Sequence, residues 1–226
     1  MDSVECGMTS ERLLLLDCDS TLSAIEGIDE LARFRGFEVC EAVEAMTRGA
    51  MDGGVPMEAI FQKRLDMIQP TEAEMAKIGA MYIANAEPDA KTVVAKLQAE
   101  GWQVVIVSGG FLQAIEPFAK WLGIQRVEAV RVLFDEAGNY AGFDQACPTA
   151  RSFGKNEVAR RLRAEYSAQW SAMVGDGASD LEVKGDVDCV IGFGRYAVRD
   201  KVKLGADAFI FGFGELPKVL EDLLIK

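Results

Sequence analysis

The sequence predicts an α/β protein: a parallel sheet with helices on both faces, interrupted early by an inserted bundle of helices. Three observations carry this reading. Short apolar runs bounded by polar residues recur at wide intervals, at Arg12–Asp17, Gln103–Ser108, Ala172–Gly175, Asp188–Gly192 and Ala208–Phe211, and read as buried strands. Amphipathic helical stretches lie between them, and strands alternating with helices build a parallel sheet covered on both sides. The first two runs are about eighty residues apart, far more than one crossover needs.

The first run, Leu13–Leu16, leads directly into Asp17-Cys18-Asp19-Ser20-Thr21-Leu22. In open α/β sheets ligands bind beyond the C-terminal ends of the strands, so two carboxylates arrive where chemistry is done. Residues two apart on an extended strand point the same way, so Asp17 and Asp19 converge on one small group if the extended geometry continues. One carboxylate can attack while the other handles protons, a layout for phosphoryl transfer provided a cation gathers the negative charge. Asp-x-Asp-Ser-Thr is equally ordinary turn and helix-cap chemistry. Alone, the motif leaves both readings open.

The interval that follows is helical in pattern: Ile25–Arg35, Val39–Thr47, Met57–Ile68 and Glu72–Ala84. Thr71 with Glu74 three residues on is a capping box that opens the last helix. Residues 23–87 are read as a helical cap, inserted in an α/β core made of residues 1–22 and 88–226. The core resumes at Ala90–Glu100, where Val93, Val94 and Leu97 share a face and Gly101 is the stop. The second strand ends in Val107-Ser108-Gly109-Gly110-Phe111. A hydroxyl and glycine N–H groups just before a helix make an anion cradle, or simply a glycine turn.

Val130–Asp135 and Tyr140–Phe143, joined at Ala137-Gly138-Asn139, read as a hairpin. Lys155 opens the helical stretch Asn156–Tyr166, where a cation opposes the helix dipole. A bound phosphate explains that placement; so does a solvated surface lysine. The run Ala172–Gly175 leads into Gly175-Asp176-Gly177-Ala178-Ser179-Asp180, a glycine turn that again presents carboxylates at the sheet edge. Mg²⁺ takes one or two carboxylates plus waters and substrate phosphate, and Asp17 and Asp176 could supply them with Asp180 behind. Each cluster singly passes for a turn or a cap. Three of them at strand edges, with a lysine opening a helix between the second and third, do not.

Composition narrows the function. Half of the 226 residues are apolar and 27% are charged, as in an ordinary globular protein. There is no stretch of the roughly 18 apolar residues that a membrane span needs, and no basic-then-apolar leader, so the cytoplasm is the default location. The five cysteines are scattered without C-x-x-C spacing, which favours reduced thiols over a disulfide framework or a zinc site. A net charge of −12 argues against nucleic acid or an anionic membrane as partner. Histidine is absent, which excludes Ser-His-Asp hydrolysis, histidine-ligated zinc and phosphohistidine chemistry. Any general acid must be a carboxylate, lysine, tyrosine or cysteine.

In that order, Asp-x-Asp-Ser-Thr, a strand-end Ser-Gly-Gly, a helix-opening Lys and Gly-Asp-Gly-x-x-Asp resemble the haloacid dehalogenase-like superfamily, with its Rossmann-like core. The chain resembles the phosphoserine phosphatases more closely. The segments that carry this are Asp17–Ala32, Ala50–Pro56 followed by Arg64, Val107–Phe111, Tyr140–Phe143, Pro148–Lys155, Gly175–Glu182, and Ile191–Gly194 followed by Arg199. The match spans nearly the whole chain.

The resemblance implies a Mg²⁺-dependent hydrolysis of O-phospho-L-serine to L-serine and phosphate, the last step of serine biosynthesis. Asp17 is then the nucleophile that forms an aspartyl-phosphate. Asp19 protonates the leaving oxygen and later deprotonates the attacking water. The metal falls to Asp17, the Asp19 carbonyl and Asp176, with Asp180 in support; Ser108, Gly109 and Lys155 hold the phosphoryl group. Glu26 meets the substrate ammonium and Arg64 its carboxylate, with Met51, Gly110, Ser179 and Arg199 completing the substrate site. The oligomeric state stays open, a homodimer among the options.

Four residues depart from the family pattern: Met57, Asp52, Ser179 and Val130 stand where phenylalanine, glycine or glutamate, threonine or asparagine, and asparagine are usual. They put the substrate preference in question more than the chemistry. Other phosphatase substrates, such as phosphohomoserine or a sugar phosphate, are the nearest alternative, and Glu26 with Arg64 favours an amino acid over a sugar. A phospho-aspartate receiver switch and a dehalogenase are opposed by the acid at Asp19, and a receiver also by the large insertion. A catalytically dead binding protein fits least, since no core acid is missing.

Overall fold

The computed structural model of the chain describes residues 11–51 and 57–225, the side chains of 49–51 and 57–59 excepted. Leu13, Leu14, Leu15 and Leu16 of the first strand, β1 (Arg12–Leu16), have no exposure at all, which requires cover on both faces. Leu14 and Leu16 enter one apolar cluster while Leu13 and Leu15 enter another, as the two-residue strand period dictates.

Four helices come next: α1 (Gly27–Arg33), α2 (Phe37–Met51), α3 (Met57–Ile68) and α4 (Glu72–Ala84). The capping box at α4 forms: the Glu74 amide donates to Thr71 Oγ1 at 3.3 Å and the Thr71 amide to Glu74 Oε2 at 2.9 Å. Arg35 staples the insertion from within, with both guanidinium ends on the Glu74 carboxylate at 2.7 Å and Nε on the Ile68 carbonyl at 2.6 Å.

The chain re-enters the core through α5 (Ala90–Ala99) and β2 (Trp102–Phe111), then α6 (Leu112–Leu122) and β3 (Arg126–Val130). A two-stranded antiparallel hairpin, β4 (Val132–Phe134) with β5 (Tyr140–Phe143), precedes α7 (Gly154–Glu165). The remainder is β6 (Trp170–Gly175), α8 (Ala178–Leu181), β7 (Cys189–Phe193), α9 (Asp200–Gly205), β8 (Ala208–Ile210) and α10 (Leu216–Leu224).

The sheet has six strands in the order β3-β2-β1-β6-β7-β8, every neighbouring pair parallel. The chain winds outward from β1 through β2 to β3, then returns to the other side of β1 as β6. That reversal is the switch point where α/β sheets open a crevice. It places the loops after Leu16 and Gly175 side by side.

Three local expectations change. Strand β3 lies outside the strands read from sequence: Arg126 to Glu128 are only half-buried, and its pairing with β2 supplies the edge position that makes it a strand. The hairpin arm is correspondingly shorter, starting at Val132 because Val130 belongs to the sheet opposite Phe111. Strand β2 runs on to Phe111, carrying Ser108, Gly109 and Gly110 as strand rather than turn, with a register shift between Val107 and Phe111. No helix among the described residues is long and apolar enough to cross a membrane. Cys18, Cys40, Cys147 and Cys189 are free thiols; Cys6 and Asp52 lie outside the described residues, as does the side chain of Met57.

Candidate active site

The edge of β1 and β6 brings four buried charged groups together. Lys155 reaches across from α7, its Nζ donating to Asp17 Oδ1 at 2.8 Å and to Asp180 Oδ1 at 2.6 Å. Asp180 Oδ2 accepts from the Gly177 amide at 3.0 Å, so it also caps α8. A Cβ at residue 175 would stand 2.1 Å from Asp180 Cγ, and only glycine lets that carboxylate slide beneath the strand end. Asp176 is paired with the Arg199 guanidinium and accepts weakly from Thr21 Oγ1 at 3.4 Å.

Asp17, Asp176 and Asp180 each offer an oxygen within 4.8 Å of the others. Their near neighbours supply two cations, Lys155 and Arg199, against these three carboxyl groups. Burial, then repulsion from Asp180, pushes Asp17 well above the usual carboxylate range. Burial raises Asp176 to about 7 against the pull of Arg199. Burial works against the Lys155 ammonium too, but Asp17 and Asp180 outweigh it and hold the group charged. Three carboxyl groups gathered this closely form an all-oxygen donor set, which a hard divalent cation fits.

Asp19 stands beside this cluster with its two oxygens in different settings. Oδ1 accepts from the Gly27 amide and from the Tyr82 hydroxyl, both at 2.6 Å; Oδ2 lies 3.4 Å from Ser108 Oγ. Burial raises its affinity for a proton, and the donors from Tyr82 and Gly27 moderate the rise. Ser20 takes a left-handed φ of 51°, ending the extended run, and donates to Glu26 Oε1 at 2.6 Å. Glu26 is pushed well up by burial and then by the nearby Asp19 and Asp176.

A small cavity of about 50 Å³ joins these groups to the inserted helices. Asp17, Asp19, Ser108, Gly109, Gly110, Lys155 and Ser179 line it from the core, and Glu26, Thr47, Phe61 and Arg64 from the insertion. Arg64 is buried, with Nη1 donating to Thr47 Oγ1 at 3.2 Å and its guanidinium 5.7 Å from the centre of the Phe61 ring. Thr47 donates in turn to Asp29 Oδ1 at 2.8 Å.

Most residues singled out from sequence thus meet in one place. Arg199 is set against Asp176 and is absent from the cavity lining. Met51 ends α2, its side chain outside the described residues. Val130 is buried in the apolar core at the end of β3. Sequence reasoning passed over Tyr82, Thr47, Asp29 and Phe61. Each sits in a helix with ordinary amphipathic spacing, so nothing local marks it.

A carboxylate just past one strand beside a buried lysine, a serine within the neighbouring strand and a three-aspartate cluster define a phosphoryl-transfer hydrolase. The family model for haloacid dehalogenase-like hydrolases matches residues 14–183. The chain is 41% identical over 215 residues to the phosphoserine phosphatase of Bos taurus, covering 94% of this chain and 95% of that one. A substrate-bound phosphoserine phosphatase superposes with a TM-score of 0.80 at 25% identity, over 94% of this chain and 98% of the other. A phospho-aspartyl intermediate analogue of phosphoserine phosphatase gives 0.79 at 27% identity, with the same coverages. The chain belongs to the haloacid dehalogenase-like hydrolases and, within them, to the phosphoserine phosphatase family.

Proposed function

We propose that this protein hydrolyses O-phospho-L-serine to L-serine and phosphate in two displacements at Asp17. The observation that carries the reading is the shared cavity. Phosphoryl-handling groups line one wall, and an acid with a buried arginine, Glu26 and Arg64, line the other. A zwitterionic amino acid bearing a phosphate has the complementary charges. The bidentate geometry of Arg64 suits a carboxylate, and Glu26 suits an ammonium.

In the first displacement Asp17 attacks phosphorus, and the bond to the seryl oxygen breaks as Asp19 gives that oxygen a proton. Ser108, the Gly109 amide and Lys155 hold the phosphoryl oxygens, since such transfers depend mainly on positioning and countercharge. In the second, water attacks the aspartyl-phosphate while Asp19 takes back a proton, releasing phosphate and restoring Asp17. Asp17, Asp176 and Asp180, with the Asp19 carbonyl, would hold Mg²⁺. When bound, it supplies charge neutralisation for the carboxylates and the phosphate.

The cavity, at about 50 Å³, is far smaller than the roughly 300–1,000 Å³ usual for small-molecule sites. Residues 23–87 therefore act as a cap that opens to admit substrate and closes to exclude water. The cytoplasm is the proposed place of action, and the free thiols of Cys18, Cys40, Cys147 and Cys189 support it.

The test is phosphate release with and without Mg²⁺ from O-phospho-L-serine, beside phosphohomoserine, phosphothreonine and a sugar phosphate. A strong Mg²⁺-dependent preference for O-phospho-L-serine is expected. Preference for another of the four would move the assignment to that compound, and no turnover of any would remove the hydrolase reading.

A further inference from the structure

Tyr82 belongs to the buried stripe of α4 with Met75, Ile78 and Gly79, yet its hydroxyl lies at the reaction centre. The ring is fully buried and stacks on Phe118 with centroids 5.8 Å apart and planes 16° from parallel, which restricts where the hydroxyl can point. It donates to Asp19 Oδ1 at 2.6 Å, the same oxygen that accepts from the Gly27 amide at 2.6 Å. The other oxygen, Oδ2, accepts only weakly, from Ser108 Oγ at 3.4 Å. A Cβ on residue 27 would come within 2.1 Å of the phenol oxygen, so the glycine leaves the space that the phenol fills.

We propose that Tyr82 is a positioning residue for the proton Asp19 delivers, an inference that rests on the acid–base role given to Asp19 above. A protonated carboxyl group has a single O–H to give. With Oδ1 already accepting from two donors, the proton resides on Oδ2, the oxygen turned toward Ser108 and the phosphoryl group. As the bond from Asp17 to phosphorus forms and the bond from phosphorus to the seryl oxygen breaks, that proton passes from Oδ2 to the departing oxygen. Remove the phenol, and each oxygen is left with one donor among the described residues, Gly27 N on Oδ1 and Ser108 Oγ on Oδ2. Both anchors of Oδ1 come from inserted helices, Gly27 from α1 and Tyr82 from α4, whereas Asp17 is held by Lys155 of the core. The insertion aims the acid and the core aims the nucleophile.

The test exploits the leaving group. Nitrophenolate departs without a proton; a seryl alkoxide does not. Tyr82→Phe keeps the ring and its stack and removes only the O–H. Its kcat/KM on O-phospho-L-serine should fall about tenfold, while kcat/KM on p-nitrophenyl phosphate stays within about twofold. The ratio of the two values does not depend on how much enzyme is folded, so a destabilised preparation still reports. Gly27→Ala, whose methyl group would displace the phenol oxygen, should move the ratio in the same direction and serves if Tyr82→Phe does not fold. Asp19→Asn, assayed alongside, separates the two claims. If Asp19→Asn shows no leaving-group dependence, the acid role fails and the role of Tyr82 falls with it. If Asp19→Asn shows it and Tyr82→Phe lowers both substrates equally or neither, the role of Tyr82 is overturned and the acid role stands.

Discussion

Lys155 and Arg64 face one cavity from opposite walls, and they are held differently. Lys155 has its ammonium between two carboxylates at 2.6 and 2.8 Å, and that company raises its hold on the proton. Arg64 rests on a hydroxyl at 3.2 Å and an aromatic face, and burial lowers its hold. The core wall thus holds its cation in direct ion pairs, whereas on the wall from the insertion burial outweighs the pull of the nearby Asp29, Glu26 and Asp19 carboxylates on Arg64. Chemistry and recognition should therefore be separable by mutation.

The largest effect should come from the core wall. Asp17→Asn removes the nucleophile, and phosphate release from every substrate should drop by about a thousandfold or more. Residual turnover near wild type would mean another group attacks phosphorus. Lys155→Ala leaves Asp17 and Asp180 buried without their shared cation. Losing one member of a buried ionic cluster costs about 3–5 kcal/mol, readable as a lower urea midpoint. Mg²⁺ should raise that midpoint more in the variant than in wild type, because the ion binds the folded cluster. An unchanged midpoint would show that the core wall is not held together by these charges.

Arg64→Ala sharpens the comparison from the other side. It should lower kcat/KM on O-phospho-L-serine about a hundredfold, the scale of a lost charge-assisted pair, and change p-nitrophenyl phosphate only a few-fold. Equal losses on both would place Arg64 with the chemistry instead. The smallest effect lies away from the cavity, where Arg35 clamps Glu74 and lowers its pKa to about 2 from the ordinary 4.5. A carboxylate depressed in the folded state stabilises above its unfolded pKa and loses that contribution as pH falls through the folded one. With screening by solvent, Glu74→Gln should cost about 1 kcal/mol at neutral pH. Melting curves of variant and wild type should draw together as pH drops below 4.5 towards 2. A gap that persists at low pH would assign the loss to the capping box rather than to charge.

Much of the core wall was legible because each part is local. Asp17-Cys18-Asp19, Ser108-Gly109-Gly110 and Gly175-Asp176-Gly177 are short segments following apolar runs, and a strand ending in such a segment delivers it to the sheet edge wherever the strand lies. Lys155 stood out as an exception to helix-dipole preference that a solvated surface lysine explained equally well, and it is the fold that buries it. Strand β3 was not legible, because five residues with half-buried polar neighbours acquire strand character only from pairing with β2. Arg199 carried a substrate role in the sequence reading, and the fold turns it onto Asp176. Tyr82 was invisible for a different reason: at helical spacing with Met75 and Ile78 it is indistinguishable from any core aromatic, and its partner is 63 residues away.

By itself, then, the sequence determined the α/β alternation, the helical insertion after the first strand and the chemical groups at each strand end. Those depend on periodicity and on neighbours within a few residues, where backbone geometry leaves few choices. Only the tertiary structure decided which carboxylate meets which cation, that Asp19 is anchored from the insertion, and that Glu26 and Arg64 share a cavity with Asp17. Hydrogen bonds and ion pairs act over about 3 Å, and which distant segments come that close is set by how the helices and the sheet pack together.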